Sequence, residues 1–244
     1  MDTTTPLHRR SRATASCADP AARVTRSLAG YGVLAGPFYV VVSLVQAVRR
    51  DGFDLSRHSW SQLALGDFGW VQVANLVVTG LMALAFSVAL RRTLVGVSGV
   101  PGVPGARGAR AVPVLVGVFG AGLVIAGLFP ADPAGGFPVG MPTPAAPTGH
   151  GTLHLVSSGL GFVALAAAMV VMALRYAAER RSGRVVWSVV AATALLGGFG
   201  TIASGSTIGV PAFTVGILVA FAWLSVLGAD VYARATRATP VPAA

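Results

Sequence analysis

The chain has 244 residues, 54% of them hydrophobic and only 11% charged, and its mean hydropathy is +0.73. A soluble domain carries about 25% charged residues, so the composition excludes an ordinary water-soluble globule and a disordered chain and points to a membrane. The net charge of +10, with all 18 basic residues arginine, would suit a nucleic-acid binder unless the arginines flank membrane spans, so their placement decides between the two.

Residues 1–27 hold Arg9, Arg10, Arg12, Arg23 and Arg26 but no hydrophobic core, so they are not a cleavable signal peptide and read as a disordered basic tail. The one cysteine, Cys17, excludes an internal disulfide and reads as an ordinary tail residue. Six apolar stretches follow: Leu28 to Val48, Val71 to Leu90, Ala111 to Phe129, Thr152 to Leu174, Val185 to Ser204 and Ala212 to Val231. Each has the roughly 20 residues a spanning helix needs. None has the polar face of a soluble amphipathic helix. The expected fold is therefore all-α, an integral membrane bundle of six transmembrane helices over residues 28–232, with a short tail at 233–244.

The loops differ in character. In the first, the order from Ser56 to Gly66 suits a short helix capped by Ser56 and ended by Gly66, its Trp60, Leu63 and Ala64 lying along the outer interface. The second, around 97–106, is Gly/Pro-rich and reads as a flexible connector. The third, Pro130 to Gly149, carries six prolines, so it cannot be helical and should form an extended, turn-rich cover. Small residues crowd the spans at Gly32 and Gly36, at Gly117, Gly120 and Gly122, and at Gly197, Gly198 and Gly200. They allow close helix approach, within the bundle or in a homo-oligomer.

With these spans, fifteen arginines fall on the side of the two termini and three, Arg49, Arg50 and Arg57, on the other. That asymmetry predicts cytoplasmic N and C termini by the positive-inside rule. Tyr31, Tyr176, Trp187 and Tyr232 then fall near the inner interface, and Trp60, Phe68 and Trp70 near the outer one. Scattered over short juxtamembrane loops, the arginines face anionic lipid headgroups rather than nucleic acid. The Arg-only, Ala/Gly/Val/Pro-rich composition suggests a GC-rich bacterial source, and hence the cytoplasmic (inner) membrane.

The spans contain no acidic or basic residue near their centres, which counts against ion-coupled transport. Gln46, Gln72, Asn75, Thr79, Thr193 and Ser204 are the polar groups left inside them, and Asn75 suits an interhelical hydrogen bond. Chemistry has more scope on the outer face, where Arg57, His58, Ser61, Asp67, Asn75, Asp132, His150 and His154 make a candidate polar cluster. His150 and His154 share a helix face if the helix includes His150. With His58 and Asp132 they are the ligand types zinc prefers, although no HExxH motif is present. A serine nucleophile, Ser59 or Ser61 with His58, is a further arrangement, though sequence neighbours rarely form a triad. The plainer reading is that these groups tie the loops down, through Arg57 with Asp67 or Asp132, or through Asp132 capping turn amides beside Pro133.

Several of these residues also carry a resemblance. Gly36-Pro37, the run Ser59-Trp60-Ser61-Gln62-Leu63-Ala64-Leu65-Gly66, then Gly69-Trp70, Asn75 and Gly80, with Phe129-Pro130-Ala131-Asp132 and a histidine, His154, opening the fourth span, follow one order. In that order the chain resembles the bacterial and archaeal family called domain of unknown function 998, over roughly residues 28 to 232. The resemblance implies a six-span membrane protein with no assigned activity and with its recognisable residues on the outer side. The proline-rich insert from Gly135 to Thr148 departs from the pattern and leaves the pairing of Asp132 with His154 open. The expected role is binding, transport or an accessory function through an outer-leaflet polar pocket. The alternative is a membrane-embedded enzyme acting on a lipid or lipid-linked substrate, with His58, His150, His154 and Asp132 around a metal or as acid–base groups.

Overall fold

A computed structural model describes residues 20–96 and 108–237. The protein is all-α, with six helices long and apolar enough to cross a membrane. They are α1 (Pro20–Ala47), α2 (Gly69–Gly96), α3 (Ala111–Leu128), α4 (Gly149–Ala178), α5 (Ser182–Ala203) and α6 (Gly209–Arg237). In hydrocarbon every backbone group must be satisfied within its own segment, which is why uninterrupted apolar runs settle as helices. The helices overrun the apolar stretches at both ends of the chain. Residues 20–27, expected to belong to a disordered tail, are the first two turns of α1. Pro20 takes the first helical position, where its missing N–H costs nothing, and Thr25 Oγ1 donates to Ala21 O at 2.8 Å. Likewise α6 runs on through 233–237. Cys17, the remaining tail residues and the Gly/Pro-rich connector lie outside the described residues.

Each helix packs antiparallel on the next in sequence, and α6 closes on α1. Pairs along the seams fix the direction: Gly32 meets both Phe86 of α2 and Gly228 of α6, while farther along α1 Tyr39 meets Asn75 and Phe221. One close seam is α2 on α3. A Cβ on Gly80 would stand 2.6 Å from the carbonyl oxygen of Gly120, and one on Gly120 2.7 Å from that of Gly80, so only glycine admits this approach. Gly32, Gly36, Gly122 and Gly198 are also spent on contacts within the bundle, whereas Gly197 and Gly200 have nothing within 4 Å of a built Cβ.

One buried polar knot crosses the α1–α2 seam. Gln72 Oε1 accepts from Gln46 Nε2 (2.8 Å), Asn75 Nδ2 (3.0 Å) and Ser43 Oγ (3.3 Å). Asn75 Nδ2 also reaches Tyr39 O at 3.2 Å. Asn75 therefore makes the interhelical bond expected of it and faces α1 rather than the outer loops.

The alternation gives the bundle two unlike ends. At the arginine-rich end, where α1, α3 and α5 begin, Arg175 and Arg181 meet Glu179, Arg184 and Arg181 meet Asp230, and Arg234 meets Glu179, at 2.9 to 3.8 Å. The opposite end is covered by the two loops that join α1 to α2 and α3 to α4.

Candidate functional site

The loop-covered end is built around one clamp. The first loop folds as a 3₁₀ turn, Trp60–Ala64, capped by Ser59 rather than Ser56. Ser59 N–H donates to Gln62 Oε1 at 2.9 Å, while Ser56 is taken up in a turn on Asp54, donating to Oδ1 through N–H (2.8 Å) and Oγ (2.6 Å). Those two bonds hold the Asp54 carboxyl below the usual carboxylate range. Gly66, at φ +66, turns the chain out of the helix as expected. Trp60, Leu63 and Ala64 do share a face, but it is turned into the bundle. Trp60 is 6% exposed and stacks on Tyr39 at 5.8 Å, so it is not laid along an outer surface, whereas Phe68 and Trp70 are exposed.

His58 joins this turn to the third loop. Its Nδ1 accepts from Asp54 N–H (2.9 Å) and its Nε2 donates to Gly135 O (3.0 Å). Both partners are backbone groups of fixed sense, so the ring is the Nε2–H tautomer with no nitrogen to spare. Gln62 Nε2 donates to the neighbouring Ala134 O at 2.8 Å. Arg57 reaches Gly135 O at 3.4 Å, instead of pairing with Asp67 or Asp132. Beneath them Phe137 is buried edge-on against Phe53 (5.1 Å), with the Arg50 guanidinium 5.4 Å from its ring centre. Arg50 also donates to the carbonyls of Leu63 and Leu65. The third loop is thus non-helical and closely docked, as its prolines require.

Asp132 and Thr148 close the far end of that loop. Thr148 gives Asp132 its N–H (2.9 Å) and Oγ1–H (2.6 Å), and Thr148 Oγ1 accepts from Gly151 N–H (3.0 Å) to cap α4. These bonds pull the Asp132 carboxyl below its ordinary range, and the helix N-terminus favours the same charge. A Cβ on Gly151 would strike this carboxylate, so the glycine keeps the place open. Asp132 pairs with Thr148, not with His154.

The histidines of α4 share a side of the helix but not a role. His150 is exposed and lies edge-on to Phe129 at 5.4 Å. His154 is 8% exposed, and its Nδ1 donates to Ala126 O (2.9 Å) and Phe129 O (3.1 Å) across the α3 seam. Carbonyls only accept, so His154 is the Nδ1–H tautomer and its Nε2 carries the lone pair. Among the described residues no three His, Cys, Asp or Glu side chains converge on a point that could hold a metal ion. The candidate cluster is dispersed: His58 and Arg57 tie loops, Asp132 caps, Asp67 is exposed, and Asn75 is buried one helix seam away. The serine–histidine arrangement is not formed either, because Ser59 and Ser61 hydroxyls meet each other at 3.2 Å and His58 is fully engaged.

Sequence reasoning expected a polar pocket at this end and missed its apolar, aromatic lining. Below the loops lies a cavity of about 450 Å³ with a wall drawn from all six helices, within the range of about 300–1,000 Å³ typical of small-molecule sites. Its floor is aromatic: Tyr39 on Phe221 (4.8 Å), and Phe162 against Phe213 (5.3 Å) and Phe199 (5.6 Å). Its rim holds Ser59, Ser61, Asp132, His154 and Ser158. Ser158 donates to the carbonyl of His154 at 2.6 Å, so neither it nor the paired serines faces a base. His154 Nε2 takes no hydrogen bond from any described residue. Leu155 on the second turn of α4 and Ala203 at the end of α5 both line the cavity and are exposed, so it reaches the surface between those helices.

No curated protein and no solved structure matches the chain. The family described as "Protein of unknown function (DUF998)" matches residues 33–230, which takes in α2 to α5, most of α6, the second half of α1 and the whole loop-covered cavity, and the chain belongs to that family.

Proposed function

We propose that this multi-pass membrane protein binds a lipid-like molecule, its chain held in the cavity under the first and third loops. The observation that carries the reading is the cavity itself: apolar and aromatic at its floor, polar at its rim, and reaching the surface between α4 and α5. An amphiphile fits that division, chain inward and head toward the rim. Among the described residues the catalytic alternative lacks a side-chain nucleophile hydrogen-bonded to a base, which covalent catalysis requires. A pyrene-labelled dodecyl chain, added to the protein in phosphatidylcholine nanodiscs, is expected to bind saturably. Thr214→Trp, which fills the cavity from α6, is expected to abolish that binding without unfolding the protein. Unsaturable partitioning, equal in both proteins, would refute the reading.

The orientation belongs to the same proposal. Fifteen arginines on one side against three on the other support cytoplasmic termini in a bacterial inner membrane, with anionic headgroups at the arginine-rich end and the cavity in the outer leaflet. On a Cys17→Ser background, Pro142→Cys is expected to react with an impermeant maleimide added outside cells, and Gly183→Cys only after lysis. The reverse pattern would invert the assignment.

A further inference from the structure

Burial of its chain does little to tell one lipid from another, because lipid tails are alike in apolarity to each other and to the residues that would surround them. If the cavity is selective, as the reading above requires, selection rests on the polar head. The rim restricts that head sharply. His154 is anchored through Nδ1 to two carbonyls, which fixes its tautomer and leaves Nε2 as a hydrogen-bond acceptor on a ring that lines the cavity. Beside it stands the Asp132 carboxylate, whose two oxygens are held by Thr148. Among the described residues no arginine lines the cavity; Arg57 is spent on Gly135 and Arg50 on the carbonyls of Leu63 and Leu65.

We propose that the ligand's head is an uncharged hydroxyl, donating its hydrogen to His154 Nε2, and that the site selects neutral lipid alcohols against their phosphorylated counterparts. A phosphate would bring negative charge against a carboxylate and an imidazole lone pair with no cation to meet it, an uncompensated cost in a largely apolar setting. An ammonium would find acceptors, but it would be desolvated beside a carboxylate whose oxygens are already bonded and whose charge the α4 N-terminus already offsets. A hydroxyl meets the open acceptor without either penalty.

The proposal deepens the chain-binding reading and can fail separately from it. Three competitors with one dodecyl chain, ending in a hydroxyl, a phosphate monoester or an amine, are titrated against the pyrene-labelled chain in phosphatidylcholine nanodiscs. The alcohol is expected to compete about tenfold better than either of the others, the scale of one buried hydrogen bond. His154→Asn separates the two ring nitrogens: its amide N–H stands near Nδ1 and keeps the bonds to Ala126 and Phe129, while the Nε2 acceptor is lost. It is expected to reduce the alcohol's advantage over the phosphate and the amine about tenfold, read as a ratio within the variant so that any change in the labelled chain's own affinity cancels. Phosphate or amine competing as well as the alcohol overturns the proposal, as does an unchanged alcohol advantage in folded His154→Asn. The wild-type ranking decides the matter alone if that variant does not fold. Failure of the labelled chain itself to bind sinks the underlying reading, and this one with it.

Discussion

The two ends of the bundle hold their polar groups by different physics. At the arginine-rich end the ties are ionic, partly exposed and shared: five guanidinium–carboxylate contacts serve two acids, Glu179 and Asp230. At the loop-covered end they are mostly hydrogen bonds to backbone, from His58, Gln62 and Arg50, closed over buried Phe137. Exposed ion pairs are weak and salt-sensitive, and they suit a face whose side chains stay partly open to solvent. Bonds from a buried side chain to backbone carbonyls and amides are directional and fail completely when one partner goes. They suit a lid that must keep one shape over a cavity.

The largest expected loss follows from His58. His58→Ala removes the ring between Phe53 and Phe137, leaves Asp54 N–H without its acceptor, and leaves Gly135 O with only the long contact to Arg57 at 3.4 Å. It should cost about 3 kcal/mol and expose the third loop to protease, read by thermal unfolding in detergent and by cleavage between 130 and 148. A loss below that of any arginine-end variant would break the comparison. Gln72→Leu should cost less, about 1–2 kcal/mol, because polar contacts inside membrane bundles are modest even when buried. That change removes the shared acceptor, leaving Gln46 with Val42 O and Asn75 with Tyr39 O, and leaves both loops in place. Protease resistance of the third loop should therefore be unchanged while the melting temperature falls.

Much of the bundle was legible in the sequence, and a pocket under its loops was expected, but the lining of the cavity was not. Six apolar runs without an acidic or basic residue near their centres can only be helices in lipid, and six prolines between Pro130 and Gly149 can only be a loop. The four-residue spacing of His150 and His154 placed them on one side of α4. It could not say that one meets Phe129 edge-on while the other anchors two carbonyls, because those partners come from α3. His58 and His154 are alike in sequence yet hold opposite tautomers, set by whether an amide or a carbonyl faces Nδ1. Gln62 was recoverable, since Ser59-x-x-Gln62 is a capping spacing; Ser56 drew the cap instead. The aromatic floor was out of reach: Tyr39, Phe162, Phe199, Phe213 and Phe221 lie on four helices and meet only once the ring has closed.

Acid should act locally, at the joint between the third loop and α4. The Asp132 carboxyl lies below its ordinary value of 3.8 because Thr148 donates two hydrogen bonds to it. A depressed carboxylate contributes stability that is fully present above the unfolded-state pKa and is lost as pH falls through the folded one. The α4 cap should therefore be indifferent to pH from neutral down to about 4 and loosen below it. Hydrogen exchange at the Thr148 and Gly151 amides would report this, and Asp132→Asn should show the looser rates at neutral pH with no further change in acid. A transition near pH 6 would assign the joint to a histidine instead.

The smallest expected effect lies at the other end and is the sharpest check on the contrast. Arg184 and Asp230 make the shortest contact of the ionic cluster, 2.9 Å, yet their side chains are 31% and 18% exposed, and Arg181 stands by at 3.8 Å to meet the same acid. With a second arginine in reach, Arg184→Ala leaves no carboxylate stranded, so the loss should be within about 1 kcal/mol. What remains is exposed Coulomb attraction, which shrinks as the Debye length falls from about 10 Å at 0.1 M salt to 3 Å at 1 M. The difference between Arg184→Ala and the parent should therefore close at high salt, while that of His58→Ala stays, because its bonds are directional and shielded from solvent. If both differences respond to salt alike, the two ends are held by the same forces and the division drawn between them is wrong.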